Sequence, residues 1–293
     1  MNEQKRMNPL KSLTAGMIAG SIEATITYPT EYVKTQLQLP GSNKLFTGPI
    51  DCLKKTITEK GIRTLYSGLS PMILGTAAKA GIRFVVYDSI KDQLRNKNGS
   101  LSFGNTVLAG LMAGLSEAFL VVTPAETIKT KLIQDQNSKI KQYNGMIHGV
   151  KSIIKSEGLI GIYRGVVPVM LRQGSNSAIR LTSYQILKDY CYKHSLGISK
   201  DEKNLTIITT FLLGMIAGTI TVYTTMPIDN VKTKMQSKEA SLRYKNSYHC
   251  LIQTVKETGV LSLWNGATPR LGRLLLSGGI VFSVYEQVIK FLN

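Results

Sequence analysis

A proline, a carboxylate two residues on and a lysine three beyond that occur together three times: Pro29-Glu31-Lys34, Pro124-Glu126-Lys129 and Pro227-Asp229-Lys232. An acid and a base three residues apart stand on one side of a helix. Each can then face a different neighbour. With threefold geometry Glu31 meets Lys129, Glu126 meets Lys232 and Asp229 meets Lys34, a ring of ion pairs that opens or closes as a unit. Six solvated charges at helix ends are the blander alternative, but they leave the joint recurrence of sign and spacing unexplained.

A second set of charges suits anion recognition. Aligned on Gly68, Gly165 and Gly266, the positions Gly75, Arg172 and Arg273 share one level, and Arg270 lies a turn before Arg273. One turn on stand Lys79, Asn176 and Ser277, and a further turn on stand Arg83 and Arg180. Arginine clamps a carboxylate in bidentate fashion, so six cations (Lys79, Arg83, Arg172, Arg180, Arg270, Arg273) imply a small, multiply charged anion. Structural pairing, or snorkelling toward a headgroup, is the competing role, chiefly for Arg83 and Arg180. Glu23 and Glu117 take equivalent places in two of the three segments, and Thr221 takes the third. Acids buried near such cations act as counter-ions, or carry a proton with the ligand.

The elements that must position these groups come from a repeat. "PTEYVKTQ" from Pro29 returns as "PAETIKTK" from Pro124 and "PIDNVKTK" from Pro227, at periods of 95 and 103 residues. The glycine pairs Gly16/Gly20, Gly110/Gly114 and Gly214/Gly218 precede the copies at the GxxxG spacing that lets helices approach closely, with one extra residue in the middle copy. A second motif follows each first: "GIRTLYSGLSP" from Gly61, "GLIGIYRGVVP" from Gly158 and "GVLSLWNGATP" from Gly259. The chain divides into a tail, 1–9, and repeats over 10–100, 101–200 and 201–293. Each repeat reads as a long helix ending after the proline motif, a polar loop, a short amphipathic helix such as 49–59, and a second long helix opening near the proline of the second motif.

The uncharged run from Leu205 to Ile228 is long enough for a membrane helix. The other long helices are interrupted by charges, which at membrane depth face a protein interior or a polar cavity. The expected fold is therefore an all-α membrane protein: six transmembrane helices in a threefold pseudosymmetric bundle with three short helices at one end. A soluble helical-repeat protein is the alternative that a mean hydropathy of +0.02 leaves open.

Composition narrows the chemistry. The 36 basic and 18 acidic residues give a net charge of +18, but they are dispersed and no nucleic-acid motif accompanies them. Cys52, Cys191 and Cys250 show no metal-ligand spacing, and His148, His194 and His249 stand apart. No nucleophile–base pair, metal cluster or phosphate loop is visible, so neither an enzyme nor a metal site is expected. The opening "MNEQKRMNP" is too short for a cleavable targeting sequence.

Three copies of PxD/ExxKx(K/Q), each followed by the glycine–aromatic–glycine motif, resemble the mitochondrial carrier family over essentially the whole chain. "TAKAGIRF" at 77–84, "RGVVPVMLRQ" at 164–173 and "GATPRLGRLLLSGGIVFSVYE" at 266–286 are similar to the fungal citrate, or tricarboxylate, carriers. The resemblance implies a multi-pass inner-membrane antiporter that alternates access to one central site, works as a monomer and needs no cofactor. It assigns the proline-motif pairs to a matrix gate and places Gln36 where the family can brace one pair. Asp88 with Lys188 and Glu286 with Lys91 resemble its cytoplasmic gate, with the third pair missing; that gate is expected to open more readily. Arg172-Gln173 stands where carboxylate carriers have arginine and a small polar residue. Citrate is the expected substrate; oxoglutarate or another organic anion, and a non-transporting scaffold, are the alternatives. Phe46-Thr47-Gly48 and Tyr143-Asn144-Gly145 open the short helices as candidate sites for a membrane lipid such as cardiolipin.

Overall fold

The computed structural model describes residues 9–94, 103–138, 141–194 and 206–292, and among them every regular element is helical. The first repeat gives α1 (Pro9–Gln38), α2 (Pro49–Lys60) and α3 (Leu69–Leu94). The second gives α4 (Phe103–Glu117), a π-helical turn (Ala118–Val122), α5 (Thr123–Asp135), α6 (Gly145–Glu157) and α7 (Val166–Lys193). The third gives α8 (Ile207–Met235), α9 (Ser247–Thr258) and α10 (Ala267–Leu292). Among the described residues three stretches, Ile62–Leu94, Leu108–Asp135 and Ile208–Met235, are long and apolar enough to cross a membrane.

Local chemistry sets the short helices. Pro49 opens α2, where a missing N–H costs nothing, and Asp51 in its first turn accepts from the Thr47 amide at 3.0 Å and pairs with Lys55 at 3.0 Å. Asn246 caps α9 by accepting from the His249 amide at 2.8 Å. The amide of Asn144 is similarly bound, to His148 Nδ1 at 3.2 Å.

The π turn explains the extra residue of the middle repeat. Gly114 and Pro124 are ten residues apart, whereas Gly20–Pro29 and Gly218–Pro227 are nine. A π turn holds one residue more than an α turn. Ala118–Val122 thus absorbs the insertion, and Glu126 and Lys129 keep the facing of their counterparts.

Polarity is distributed inversely to that of a water-soluble bundle. Ile18, Ile22 and Ile26 of α1, and Phe211, Leu212, Ile216 and Ile220 of α8, are exposed at helical spacing. Glu23, Glu31, Lys34, Glu117, Lys129, Asp229 and Lys232 are buried. Hydrocarbon on the outside removes the cost of those apolar faces, while the ionisable groups turn inward. Apolar cores gather instead where the first long helices meet the short ones: around Tyr28, Tyr32, Cys52 and Leu65; around Ile128, Tyr143, Ile153 and Ile162; and around Val231, Met235, Tyr244 and Cys250.

Close approach occurs at only some of the GxxxG glycines. A Cβ at Gly16, Gly110, Gly114 or Gly214 would meet nothing within 4 Å, so only Gly20 and Gly218, beside Thr76 and Leu274, face a neighbouring helix. Gly68, Gly165 and Gly266, all at φ near +85°, pack against the motif helix of the neighbouring repeat. A Cβ there would stand 3.1 Å from Lys129 O, 3.6 Å from Lys232 O and 3.1 Å from Lys34 O, respectively. Each repeat thus abuts the motif lysine of the next one in a closed ring. The aromatic residue of the second motif satisfies a backbone group in the third repeat: Trp264 Nε1 donates at 2.9 Å to Tyr223 O, the carbonyl that Pro227 leaves without its helical donor.

Candidate functional site

The three forecast pairs all form at the proline-motif end. Lys34 Nζ lies 2.6 Å from Asp229 Oδ2, Lys129 Nζ 2.7 Å from Glu31 Oε1 and Lys232 Nζ 3.3 Å from Glu126 Oε1. Within each of two motifs the charges also approach one another, Lys232 to Asp229 at 3.2 Å and Lys34 to Glu31 at 3.8 Å. All six residues are largely buried. Breaking such a pair without replacing the partner costs about 3–5 kcal/mol.

Gln36 does not brace the Glu31–Lys129 pair. Its Nε2 donates to Tyr32 Oη at 2.9 Å and to Ile133 O at 3.1 Å, and its Oε1 accepts from Asn137 Nδ2 at 2.7 Å. Two residues beyond Lys34 is about 200° around the helix, so Gln36 faces away from the pairs. Gln38, four residues beyond, returns to the same face. It donates to Asp229 Oδ2 at 3.1 Å and accepts from Thr233 Oγ1 at 2.7 Å, bracing the Lys34–Asp229 pair instead. Lys131 and Lys234, at the places equivalent to Gln36, turn to Glu157 and to Thr254 on the short helices.

Above this ring lies a cavity of about 390 Å³ lined by Lys79, Arg172, Gln173, Arg180, Arg270 and Arg273, with Glu31, Glu126, Lys34 and Lys129 among the lining residues. The arginines nearest the ring already hold its acids. Arg172 Nη2 is 3.1 Å from Glu126 Oε1 and its Nε 3.5 Å from Asp229 Oδ1. Arg273 Nη1 is 3.0 Å from Glu31 Oε2, and Arg270 Nη1 is 3.9 Å from Asp229 Oδ2. Arg172 Nε, Glu126 Oε2 and Asp229 Oδ1 are buried yet make no hydrogen bond to the protein. Arg270 Nη2 also donates to Asn176 Oδ1 at 3.1 Å and Thr225 Oγ1 at 3.0 Å. Thr225 was not legible as a site residue because its hydroxyl also suits ordinary bonding to Thr221 O.

Glu23 and Glu117 both stand within ion-pair range of the cation set. Glu117 accepts from Lys79 at 3.2 Å, faces Arg83 at 3.7 Å and takes a longer bond from Gln173 at 3.4 Å. Glu23 faces Arg273 at 3.5 Å. Arg83 therefore belongs with Glu117 rather than with the acids at the far end of α3. Arg180 lines the cavity and makes no ion pair among the described residues.

At that far end the forecast Asp88–Lys188 pair is not made. Lys188 Nζ instead lies 5.7 Å from the Tyr192 ring centroid. Lys79 and Arg83 are 41% and 62% exposed, against 14% for Arg172. In this conformation the cavity is closed by buried ion pairs at the proline-motif end and open toward the exposed Lys79 and Arg83 at the other, and Asp88 and Lys188 stand apart. Glu286, forecast to meet Lys91, has its side chain outside the described residues.

The comparisons with known proteins fall on the same motifs. The family described as "Mitochondrial carrier protein" matches residues 5–98, 99–195 and 203–293. The chain is 45% identical to the tricarboxylate transport protein of Saccharomyces cerevisiae, over 98% of this chain and 97% of the relative. It is 43% identical to the mitochondrial citrate transporter A of Aspergillus niger, over 99% and 95%. It is 40% identical to the mitochondrial tricarboxylate transport protein of Homo sapiens, over 99% and 92%.

Proposed function

The chain belongs to the mitochondrial carrier family and is a multi-pass protein of the mitochondrial inner membrane; on that premise we propose that it exchanges tricarboxylates, citrate first, through one central site. The finer architecture is six membrane-crossing helices with α2, α6 and α9 on the matrix face, working as a monomer. One observation carries the reading: Arg172, Arg270 and Arg273 line the cavity and at the same time hold Asp229, Glu126 and Glu31 of the ring.

That arrangement gives binding a route to the gate. A multiply charged anion that engages the guanidinium groups of Arg172 and Arg273 competes with Glu126, Asp229 and Glu31 for the same donors. The acids then lose part of their compensation, and the buried pairs weaken while the ligand is present. A ligand shifts the equilibrium only by its differential affinity for the two states. The empty carrier has no replacement for those contacts and reorients slowly, so transport runs as counter-exchange. Lys79, Arg83, Gln173 and Arg180 receive the anion from the open side, and Glu117 keeps Lys79 and Arg83 balanced until it arrives. Glu23 and Glu117 balance charge rather than carry a proton, so an imposed pH gradient leaves the exchange rate unchanged.

Proteoliposomes loaded with citrate, malate, oxoglutarate or ATP and given labelled citrate test the reading. Uptake that requires internal citrate or malate is the expected result; absence of uptake with every internal anion overturns it.

A further inference from the structure

The proline-motif end carries a contact that the threefold pattern does not contain. The residue eleven places after each motif proline is Pro40, Asp135 and Lys238 in the three repeats. Equivalent positions of repeats 2 and 3 thus have opposite charge, and they meet: Lys238 Nζ is 2.7 Å from Asp135 Oδ1, with Asp135 fully buried and Lys238 14% exposed. Lys238 Nζ also reaches Ser138 Oγ at 3.3 Å and lies 5.0 Å from the Tyr143 ring centroid, while its backbone amide donates to Gln134 Oε1 at 2.6 Å. Asp135 in turn accepts from the amides of Gln142 and Tyr143, at 3.0 Å each, and so ties the end of α5 to the start of α6. One carboxylate therefore joins the first long helix, the short helix and the neighbouring repeat.

The placement matters because of the seam it spans. Lys232–Glu126, the ring pair between α5 and α8, is the longest of the three at 3.3 Å. The other two seams have neutral second contacts, Gln36 with Asn137 and Gln38 with Thr233. We infer that Lys238 is a positioning residue: its pair with Asp135 is a fourth lock, outside the ring, that keeps the α5–α8 seam shut in the ligand-free state. The cavity stays closed to the proline-motif side for as long as this pair holds, because α5 and α8 cannot separate at their ends without breaking it.

The inference rests on the alternating-access part of the proposed function and not on the identity of the substrate, and its test needs no substrate. A reporter cysteine in the cavity wall, Ser277→Cys, is placed in membrane vesicles of both orientations. It is titrated with a membrane-impermeant maleimide, and the rate for the chain without the reporter is subtracted. Added from the proline-motif side, the reagent is expected to label the Lys238→Met variant at least about fivefold faster than the otherwise unaltered chain. Lys238→Arg returns the rate to that of the parent, which mere loss of packing does not predict. Asp135→Asn, which keeps an oxygen for the Gln142 and Tyr143 amides, gives the same acceleration and serves if Lys238→Met does not fold. Combining the two substitutions adds nothing to either alone. Equal rates in parent, Lys238→Met and Asp135→Asn overturn the lock, whatever the liposome screen shows for citrate.

Discussion

Glu31 and Arg273 stand 3.0 Å apart, an acid of the proline motif bound to a cation of the cavity, while the other oxygen of Glu31 holds Lys129 at 2.7 Å. The ring that closes the cavity and the residues that line it are one network. Substitutions on either side of that contact therefore have different, separable consequences.

Lys34→Ala removes the shortest ring pair, 2.6 Å to Asp229. Asp229 keeps Lys232 and Arg172 nearby, so the loss is expected at the low end of the about 3–5 kcal/mol for a broken buried pair. In proteoliposomes the variant should take up citrate without internal substrate, at a rate several-fold above that of the parent. Uptake that remains fully dependent on counter-substrate removes the gate role from the motif.

Arg172→Lys keeps the charge but loses the forked geometry that spans Glu126 and Asp229. A lysine is a point charge and cannot satisfy two carboxylates in one plane. The KM for citrate should rise about tenfold or more, which corresponds to about 1.4 kcal/mol. An unchanged KM would place the substrate elsewhere in the cavity.

Deleting Leu120 shortens the π turn to the spacing of the other two repeats, converting Ala118–Val122 into an ordinary α-helical turn. Leu120 is exposed on the outer face. Exchange should survive within a few-fold. Deleting Thr130, beyond the motif lysine, turns the rest of α5 by about 100° and should abolish folding. Equal damage from both deletions contradicts the register argument.

Cys52 and Cys250 are fully buried on the short helices, and burial pushes both thiols up to about 11. The reactive form is the thiolate. Two units above the ordinary value leave about a hundredfold less of it near pH 8, before any steric protection. Both should resist maleimide in the folded protein and react after denaturation. Fast labelling of either in the native state would mean that the short helix opens readily.

Much of this was legible along the chain. The ring pairs followed from Glu31, Lys34 and their counterparts because a helix fixes the direction of residues three apart, and because threefold recurrence leaves one way to match opposite charges. The cation levels of Arg172, Arg273, Lys79 and Arg83 followed from the same rule. The GxxxG pairs were half informative: their spacing permits close approach, which Gly20 and Gly218 make, while a Cβ at Gly16 or Gly110 would meet nothing within 4 Å. Gln36 misled, since position in a motif does not report the turn of a helix face. Thr225 and Gln38 carried no signal beyond being polar, and Asn176 was marked only by sharing a level with Lys79.

The order of elements, the inversion of polarity and the identity of the paired charges were set by the sequence alone, because they depend on local periodicity repeated three times. Which arginine holds which acid, where Gln38 points and that Lys238 meets Asp135 were decided only in the folded bundle. Those contacts join residues about 50 to 240 positions apart, across seams whose rotation and depth are set by packing at Gly68, Gly165 and Gly266. No periodicity within one repeat encodes that packing.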